Sequence, residues 1–183
     1  MKETKTGDSF VLDPKEQDFE ITYQGQEVAV DYVTKEIKNQ RQKVEIEVLK
    51  KSEATKEPLA GVSFGLYAGE DLLNAAGEIV VKKDELVAVE KTNEEGKLKY
   101  QDTIPHGKYY LKELEGLPGY LPFEEKIEID ASYTDPKLEV ISIQKEVENQ
   151  PTKVEITKTD ITGEKEVEGA KLQILDEEGN VVE

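Results

Sequence analysis

Apolar and polar positions alternate along much of this chain with a period of two. Between residues 43 and 51, Val44, Ile46 and Val48 fall on one parity, and Glu45 and Glu47 on the other. Successive side chains of a β-strand point to opposite faces, so the pattern predicts a strand with one apolar face. Similar alternating or β-branched stretches predict strands near 62–67, 78–81, 85–91, 97–102, 108–115, 124–130 and 137–147. Turn chemistry separates them. Asn93-Glu94-Glu95-Gly96 and Pro105-His106-Gly107 read as reversals in which Gly supplies positive φ. Residues 57–61 and 116–119, rich in Gly and Pro, read as loops. The weakest pattern lies in 68–84, where Leu72-Leu73-Asn74-Ala75-Ala76 reads as a single helical turn. Seven or eight short strands at this spacing predict an all-β sandwich or small barrel.

The pattern also repeats. Lys35-Glu36-Ile37-Lys38-Asn39-Gln40 returns as Lys145-Glu146-Val147-Glu148-Asn149-Gln150, an offset of 110, and Lys2-Glu3 returns as Lys112-Glu113 at the same offset. Residues 50–61 align without a gap on residues 158–169, an offset of 108. A period near 110 is that of a whole domain, far longer than a solenoid repeat. The expected segmentation is the C-terminal part of one domain in 1–41, a complete domain in 42–151 and the N-terminal part of a third in 152–183.

Composition narrows the chemistry. The 183 residues carry 41 acidic and 24 basic side chains, a formal net charge of −17. Such a chain is not built for a phosphate backbone or an anionic membrane surface. There is no Cys and a single His, which removes disulfides, thiolate metal sites and thiol nucleophiles, and disfavours imidazole-based sites. His106, in a turn without a partner motif, reads as a solvated loop residue, and the acidic runs Glu94-Glu95, Glu124-Glu125 and Asp176-Glu177-Glu178 read as solvated surface. The sequence implies no cofactor and no metal. No apolar run approaches a membrane span, and the N-terminus has no apolar signal-peptide core.

Three polar residues interrupt this picture by continuing apolar rows. Lys50 follows Val44, Ile46 and Val48; Glu113 follows Tyr109 and Leu111; Asn149 follows Ile141, Ile143 and Val147. Lys145 shares parity with Asn149, so parity alone does not establish burial. An amine, a carboxyl and a carboxamide brought into one apolar pocket have a specific chemistry. Desolvation penalises the ammonium, and the neutral amine is a nucleophile. The same environment pushes a carboxyl towards its protonated form, which could polarise the Asn149 carbonyl and shuttle protons. Attack of Lys50 on that carbon would release ammonia and leave an amide bond, a single-turnover self-modification rather than an enzymatic activity. Lys51 remains a rival amine; parity and the match to Lys158 favour Lys50.

Four stretches carry a resemblance. They are Lys158-Thr159-Asp160-Ile161-Thr162-Gly163; Pro58 through Tyr67 (PLAGVSFGLY); Gly107 through Glu113 (GKYYLKE) followed by Gly119-Tyr120; and Val147-Glu148-Asn149. Together they resemble the Cna B-type and SpaA-like repeat domains of Gram-positive surface adhesins and pilins. The resemblance implies an immunoglobulin-like or prealbumin-like β-sandwich. It also implies an intramolecular Lys50–Asn149 isopeptide bond promoted by Glu113, with Glu3, Asn39 and Lys158 as the partial-copy equivalents. Two departures stand out. Lys51-Ser52-Glu53-Ala54-Thr55-Lys56 lacks the family's Asp and Gly, and the Pro of Gly116-Leu117-Pro118 falls one place late.

The function implied is a stalk or spacer repeat of an extracellular, cell-wall-anchored adhesin or pilin. Its partners would be neighbouring repeats of the same polypeptide and, through a distant tip domain, host extracellular matrix. Nucleic acid and membrane are not expected partners of this segment. The competing class is a ligand-binding adhesin module that itself contacts host matrix or carbohydrate. A third is an accessory domain that spaces a catalytic domain encoded elsewhere.

Overall fold

The computed structural model describes the chain except residues 24, 28, 29, 31, 75, 102, 103, 164–166, 182 and 183. The end of the expected strand 97–102 and Ala75 of the expected helical turn lie outside the described residues. Two compact units are present, Met1–Pro151 and Thr152–Glu183.

The first unit is all-β among its described residues. In chain order its strands are β1 (Lys43–Ser52), β2 (Ser63–Ala68), β3 (Leu72–Leu73), β4 (Ile79–Val81), β5 (Leu86–Lys91), β6 (Lys97–Tyr100), β7 (Gly107–Glu115), β8 (Ile127–Ala131) and β9 (Val140–Asn149). One sheet has the order β6-β1-β9, a second β5-β2-β7-β8, and β3 and β4 form a small hairpin. Strand β1 is antiparallel to β6 and parallel to β9, in register from Lys43 opposite Val140 to Ser52 opposite Asn149.

Alternation gives the strands apolar faces, and the sheet order brings these faces together. Val44, Ile46, Val48 and Val147 from the first sheet join Phe64, Leu66, Ala68, Tyr109, Leu111, Ile129 and Ala131 from the second in one buried cluster. The two sheets therefore pack face to face, each such large side chain contributing about 1.5–3 kcal/mol through removal from water. Apart from Leu49 and Val140, the outward residues of β1 and β9 are polar, and some pair with neighbouring strands. Lys51 Nζ lies 2.9 Å from Glu146 Oε2, and Lys99 Nζ of β6 lies 2.9 Å from Glu45 Oε2.

Two departures from the pattern have local causes. Leu72-Leu73 is a strand rather than a helical turn: Leu72 pairs with Val81 and is buried, and Leu73 pairs with Ile79. Asn74 Oδ1 accepts the amides of Ala76 and Glu78 at 2.9 and 3.0 Å, which closes the hairpin. This local side-chain bonding competes with helix, and an isolated helical turn has too few bonds to nucleate. The last strand begins at Val140 and runs to Asn149, three residues later at its start and two at its end than alternation gave, so Asn149 belongs to the strand itself.

Residues 1–41 carry no named strand among those described. They are tied to the sandwich by Leu12 N donating to Pro136 O at 2.7 Å, and by Tyr133 Oη donating to Phe10 O at 3.3 Å. The second unit holds a turn closed by the Leu175–Val181 bridge, in which the Asp176 carboxylate accepts the amides of Glu178 at 3.0 Å and Asn180 at 2.8 Å.

Candidate functional site

Lys50 continues the inward row of Val44, Ile46 and Val48, which ends at the buried Ser52, and it is fully buried. Its backbone is locked on both sides: its amide donates to Gly96 O at 2.7 Å, and its carbonyl accepts from Leu59 N at 2.9 Å. Gly96 has φ of 71°, and a Cβ there would lie 2.4 Å from the Lys50 carbonyl oxygen, so this turn requires glycine. The amine ends between two aromatic rings, 5.4 Å from the centroids of both Phe64 and Phe123. Burial is the main cause that holds the Lys50 amine below its ordinary pKa, opposed by the hydrogen bond and charge of Glu113.

Glu113 reaches this amine from the other sheet. It stands on β7 opposite Phe64 of β2, and the register shifts immediately afterwards, with Ser63 opposite Glu115. Leu114 is thus the extra residue of a β-bulge and turns outward, while Glu113 keeps the inward parity of Tyr109 and Leu111. The Glu113 side chain is 1% exposed, with Oε2 3.0 Å from Lys50 Nζ. Gly116 makes room for it: a Cβ at Gly116 would lie 2.6 Å from Glu113 Oε1.

Asn149 closes the triangle at the end of β9. The Lys50 amine donates to Asn149 Oδ1, and Asn149 Nδ2 donates to Glu113 Oε1 and Oε2 at 3.0 and 3.1 Å. The carboxyl therefore sits at the nitrogen end of the carboxamide, rather than at the carbonyl oxygen that the sequence reasoning had it polarise. Ile141 and Ile143 of the same row are half-buried, as is Lys145; only Val147 and Asn149 are sealed. Lys51 points away, its amine paired with Glu146 on the solvent face.

One carboxyl in contact with both an amine and an amide nitrogen can pass a proton from the first to the second. Attack of the Lys50 Nζ lone pair on Asn149 Cγ forms one C–N bond. Breaking Cγ–Nδ2 then requires one proton on the departing nitrogen, which the amine has to spare. Water is excluded by Phe64, Phe123 and the two sheets, which strengthens every electrostatic contact in the pocket.

Part of this constellation recurs in residues 1–41. Asn39 Nδ2 donates to Glu3 Oε1 and Oε2 at 2.7 and 2.8 Å. Tyr120 bridges Pro151, and Phe10 bridges Arg41. Leu121 N donates to Gln150 O at 2.8 Å, and Val11 N to Gln40 O at the same distance. Each pair differs by the sequence offset of 110. In the second unit the Lys158 carbonyl accepts from Val167 N at 3.0 Å, as the Lys50 carbonyl accepts from Leu59 N; the Lys158 side chain is exposed.

The remaining candidates fall elsewhere. His106 is half-buried rather than fully solvated. Its ring stands edge-on to Tyr133 with centroids 5.9 Å apart, and its buried Nε2 has no hydrogen-bond partner among the described residues. Burial, then the Arg41 charge, lowers its pKa. Sequence reasoning missed Phe64, Phe123 and Gly116 as parts of the pocket. Phe64 was legible as the inward residue beside the Pro58–Gly61 loop, whereas nothing in alternation marked Phe123, which lies outside any strand.

The family model described as "SpaA: Prealbumin-like fold domain" matches residues 44–146. No curated protein matches the chain. Among solved structures it is similar to the Bacillus anthracis TIE protein, at 25% identity and a TM-score of 0.64 over 99% of this chain. The chain spans 30% of the length of that protein. It is also similar to BcpA, the major pilin subunit of Bacillus cereus, with 21% identity and a TM-score of 0.42 over 61% of this chain and 31% of that one. The group B streptococcus pilus 2b backbone protein gives 20% identity and a TM-score of 0.45 over 66% of this chain and 46% of that one.

Proposed function

The chain belongs to the SpaA family of prealbumin-like fold domains, and from that premise we propose that it is a stalk segment of a Gram-positive cell-wall surface adhesin or pilin. Its spacer domain is rigidified by an autocatalytic isopeptide bond between Lys50 and Asn149. The observation that carries this reading is the contact of one sealed carboxyl, Glu113, with both the Lys50 amine and the Asn149 amide nitrogen. Glu113 is the promoting residue: it takes the proton that the attacking amine loses and delivers it to the departing nitrogen. Ammonia leaves, and the product is a neutral secondary amide in an apolar pocket. The domain acts once, on itself, and is not an enzyme.

The mechanical consequence follows from the register. Tension would enter at the start of β1 and leave at the end of β9. These strands are parallel, so that load shears their ladder. A bond from Lys50 to Asn149 carries the load across, leaving the 98 residues between them outside its path. The contacts repeated at an offset of 110 support reading 1–41 as the C-terminal part of a neighbouring copy. The Lys158 contact supports 152–183 as the N-terminal part of the next. On this reading Glu3, Asn39 and Lys158 belong to the corresponding triads, and the segment's partners are other domains of its own polypeptide.

Intact mass of the whole chain tests the bond. The wild type is expected to weigh one ammonia less than its sequence, and Lys50→Ala and Glu113→Ala to show the full sequence mass. Full mass in a folded wild type would remove the bond and leave a plain β-spacer.

A further inference from the structure

Residues 1–41 meet the sandwich through contacts that converge on Phe10. Its carbonyl accepts from Tyr133 Oη at 3.3 Å, and its backbone bridges Arg41. On either side, Ser9 O accepts from Gln42 N at 3.0 Å, and Leu12 N donates to Pro136 O at 2.7 Å. The buried Gln42 side chain ties in the same loop, its Nε2 donating to Asp135 O at 2.9 Å and Leu138 O at 2.6 Å. Residues 9–12 are thus clasped between the residues that lead into β1 and the loop that joins β8 to β9. His106 sits against this clasp, edge-on to Tyr133, its buried Nε2 without a hydrogen-bond partner among the described residues. The charge that acts on it is that of Arg41. Both neighbours of the ring, Tyr133 and Arg41, are therefore residues that hold Phe10. A cavity of about 620 Å³ adjoins the ring and carries the carboxylates of Asp8, Glu70 and Asp71. Glu70 Oε1 accepts from Lys108 N at 3.0 Å and Asp71 Oδ1 from Lys83 N at 2.9 Å, while Asp8 and Asp135 lie close enough to act on the Tyr133 hydroxyl.

We propose that residues 9–12 and 133–138 form a joint between consecutive copies, closed while His106 is neutral and opened when it takes a proton. The inference rests on reading 1–41 as part of a neighbouring copy, and not on the Lys50–Asn149 bond. An imidazolium carries N–H on both ring nitrogens. In the closed joint its Nε2 would be a buried charged donor with no acceptor, beside the cation of Arg41, which is a costly place for it. Relief comes if the ring leaves Tyr133 and turns to the carboxylates of the cavity, and Tyr133 is the side chain that holds Phe10. The sign follows from the same contacts. Burial first, then the Arg41 charge, holds His106 in the closed joint below its ordinary value of 6.5. The open joint therefore binds more protons, so closure is favoured as pH rises and is lost as pH falls below 6.5. One proton per joint changes the ratio of open to closed by at most about tenfold for each unit of pH. A stalk built on such joints would hold its copies in one alignment in neutral surroundings and bend between them in acid.

The test uses the full 183-residue chain, which has no Cys, with spin labels on Lys15→Cys and Glu124→Cys, both at exposed positions. A second pair, Glu90→Cys and Glu128→Cys, spans the sandwich alone and reports its integrity. Pulsed electron paramagnetic resonance gives the distance distribution of each pair above 6.5, and again below 6.5 but short of the carboxylate range. The joint pair is expected to be narrow at the higher pH and broad at the lower, with the sandwich pair unchanged. His106→Gln, which cannot take the proton, should stay narrow at both. Arg41→Gln, which removes the repelling charge and leaves the ring in place, should open only at a lower pH than wild type. A joint pair that is narrow at both pH values or broad at both overturns the proposal. So does acid broadening that persists in His106→Gln and is unmoved in Arg41→Gln, or that the sandwich pair shares. Intact mass of the same samples reads the Lys50–Asn149 bond separately. A failed joint with the ammonia deficit present leaves the bond standing, and a working joint at full sequence mass removes the bond alone.

Discussion

Lys50 and Asn149 are 99 residues apart in sequence, yet their side chains meet inside the protein, amine to carboxamide oxygen. The chain achieves this by making its first and last long strands parallel neighbours. Lys50 stands opposite Val147 and Ser52 opposite Asn149. Glu113 then enters from the facing sheet, so the triad spans both layers of the sandwich.

The first prediction concerns stability. Glu113→Gln keeps the shape of the side chain but removes the carboxyl proposed to relay the proton, so the bond should not form. A cross-link closing a loop of about 100 residues contributes about 4–5 kcal/mol in the chain-entropy model. Chemical denaturation of Glu113→Gln should therefore show a loss of at least that order, accompanied by the full sequence mass. A variant with full mass and unchanged stability would separate the bond from the rigidity assigned to it.

Much of this was legible in the sequence. The row Val44, Ile46, Val48, Lys50 has the predicted parity, and all four side chains are buried. Glu113 kept its parity because the β7 bulge falls at Leu114, just past it. Alternation could not say which rows face each other. Only the parallel pairing of β1 with β9 brings Lys50 near Asn149, and that pairing joins the two ends of the sandwich. Nor could it find Phe123, which seals the amine from an irregular segment with no periodicity to read. The Leu72–Leu73 hairpin was missed because Asn74 decides it through its own side-chain bonds.

Gly116 should matter to the reaction more than to the fold. Its missing side chain leaves space for Glu113 Oε1, which a Cβ would approach to 2.6 Å. The carboxylate is the end of a flexible side chain and can move aside, so Gly116→Ala should fold. The displaced carboxyl would touch Lys50 and Asn149 less well. Freshly refolded Gly116→Ala is expected to lose ammonia more slowly than wild type in a mass time course; equal rates would show that the close approach has no role.

Lys51 offers the opposite case. Its amine is paired with Glu146 on a half-exposed face at 2.9 Å. Lys51→Ala should keep the ammonia deficit and lose no more than about 1 kcal/mol, the scale of a surface ion pair. A deficit that disappears in Lys51→Ala and survives in Lys50→Ala would reassign the amine.

The unbonded protein should also respond to pH in a definite direction. Burial holds the folded-state pKa of Lys50 below the ordinary lysine value of 10.5, and Glu113 is what opposes that shift. In Glu113→Gln the amine stays unbonded and the opposing charge is gone. Between the lowered folded value and 10.5, the unfolded chain binds a proton that the folded chain does not. Stability therefore rises with pH through this window and falls as the solution is made more acidic. Denaturation midpoints of Glu113→Gln, compared with Lys50→Met/Glu113→Gln, should climb as the pH rises towards the ordinary lysine value of 10.5 only where the lysine is present. Parallel curves would mean that the buried amine does not titrate in this range.

The last prediction is mechanical, and it separates a bonded spacer from a merely stable one. Held between residues 43 and 150, a wild type that carries the proposed bond presents a covalent path along β1 to Lys50, across to Asn149 and out. Residues 51–148 lie off this path and cannot be extended, whatever the strength of the sheets. In Glu113→Gln the same pull loads the parallel β1–β9 ladder in shear. Once that ladder fails, the whole sandwich becomes extensible. At ~3.4 Å per residue the release is roughly 300–350 Å once the folded length is subtracted. Single-molecule stretching should show this step in Glu113→Gln and none in wild type up to the rupture of the attachment. A wild type that extends by the same step would show that load does not cross between Lys50 and Asn149, however stable the domain proves to heat or denaturant.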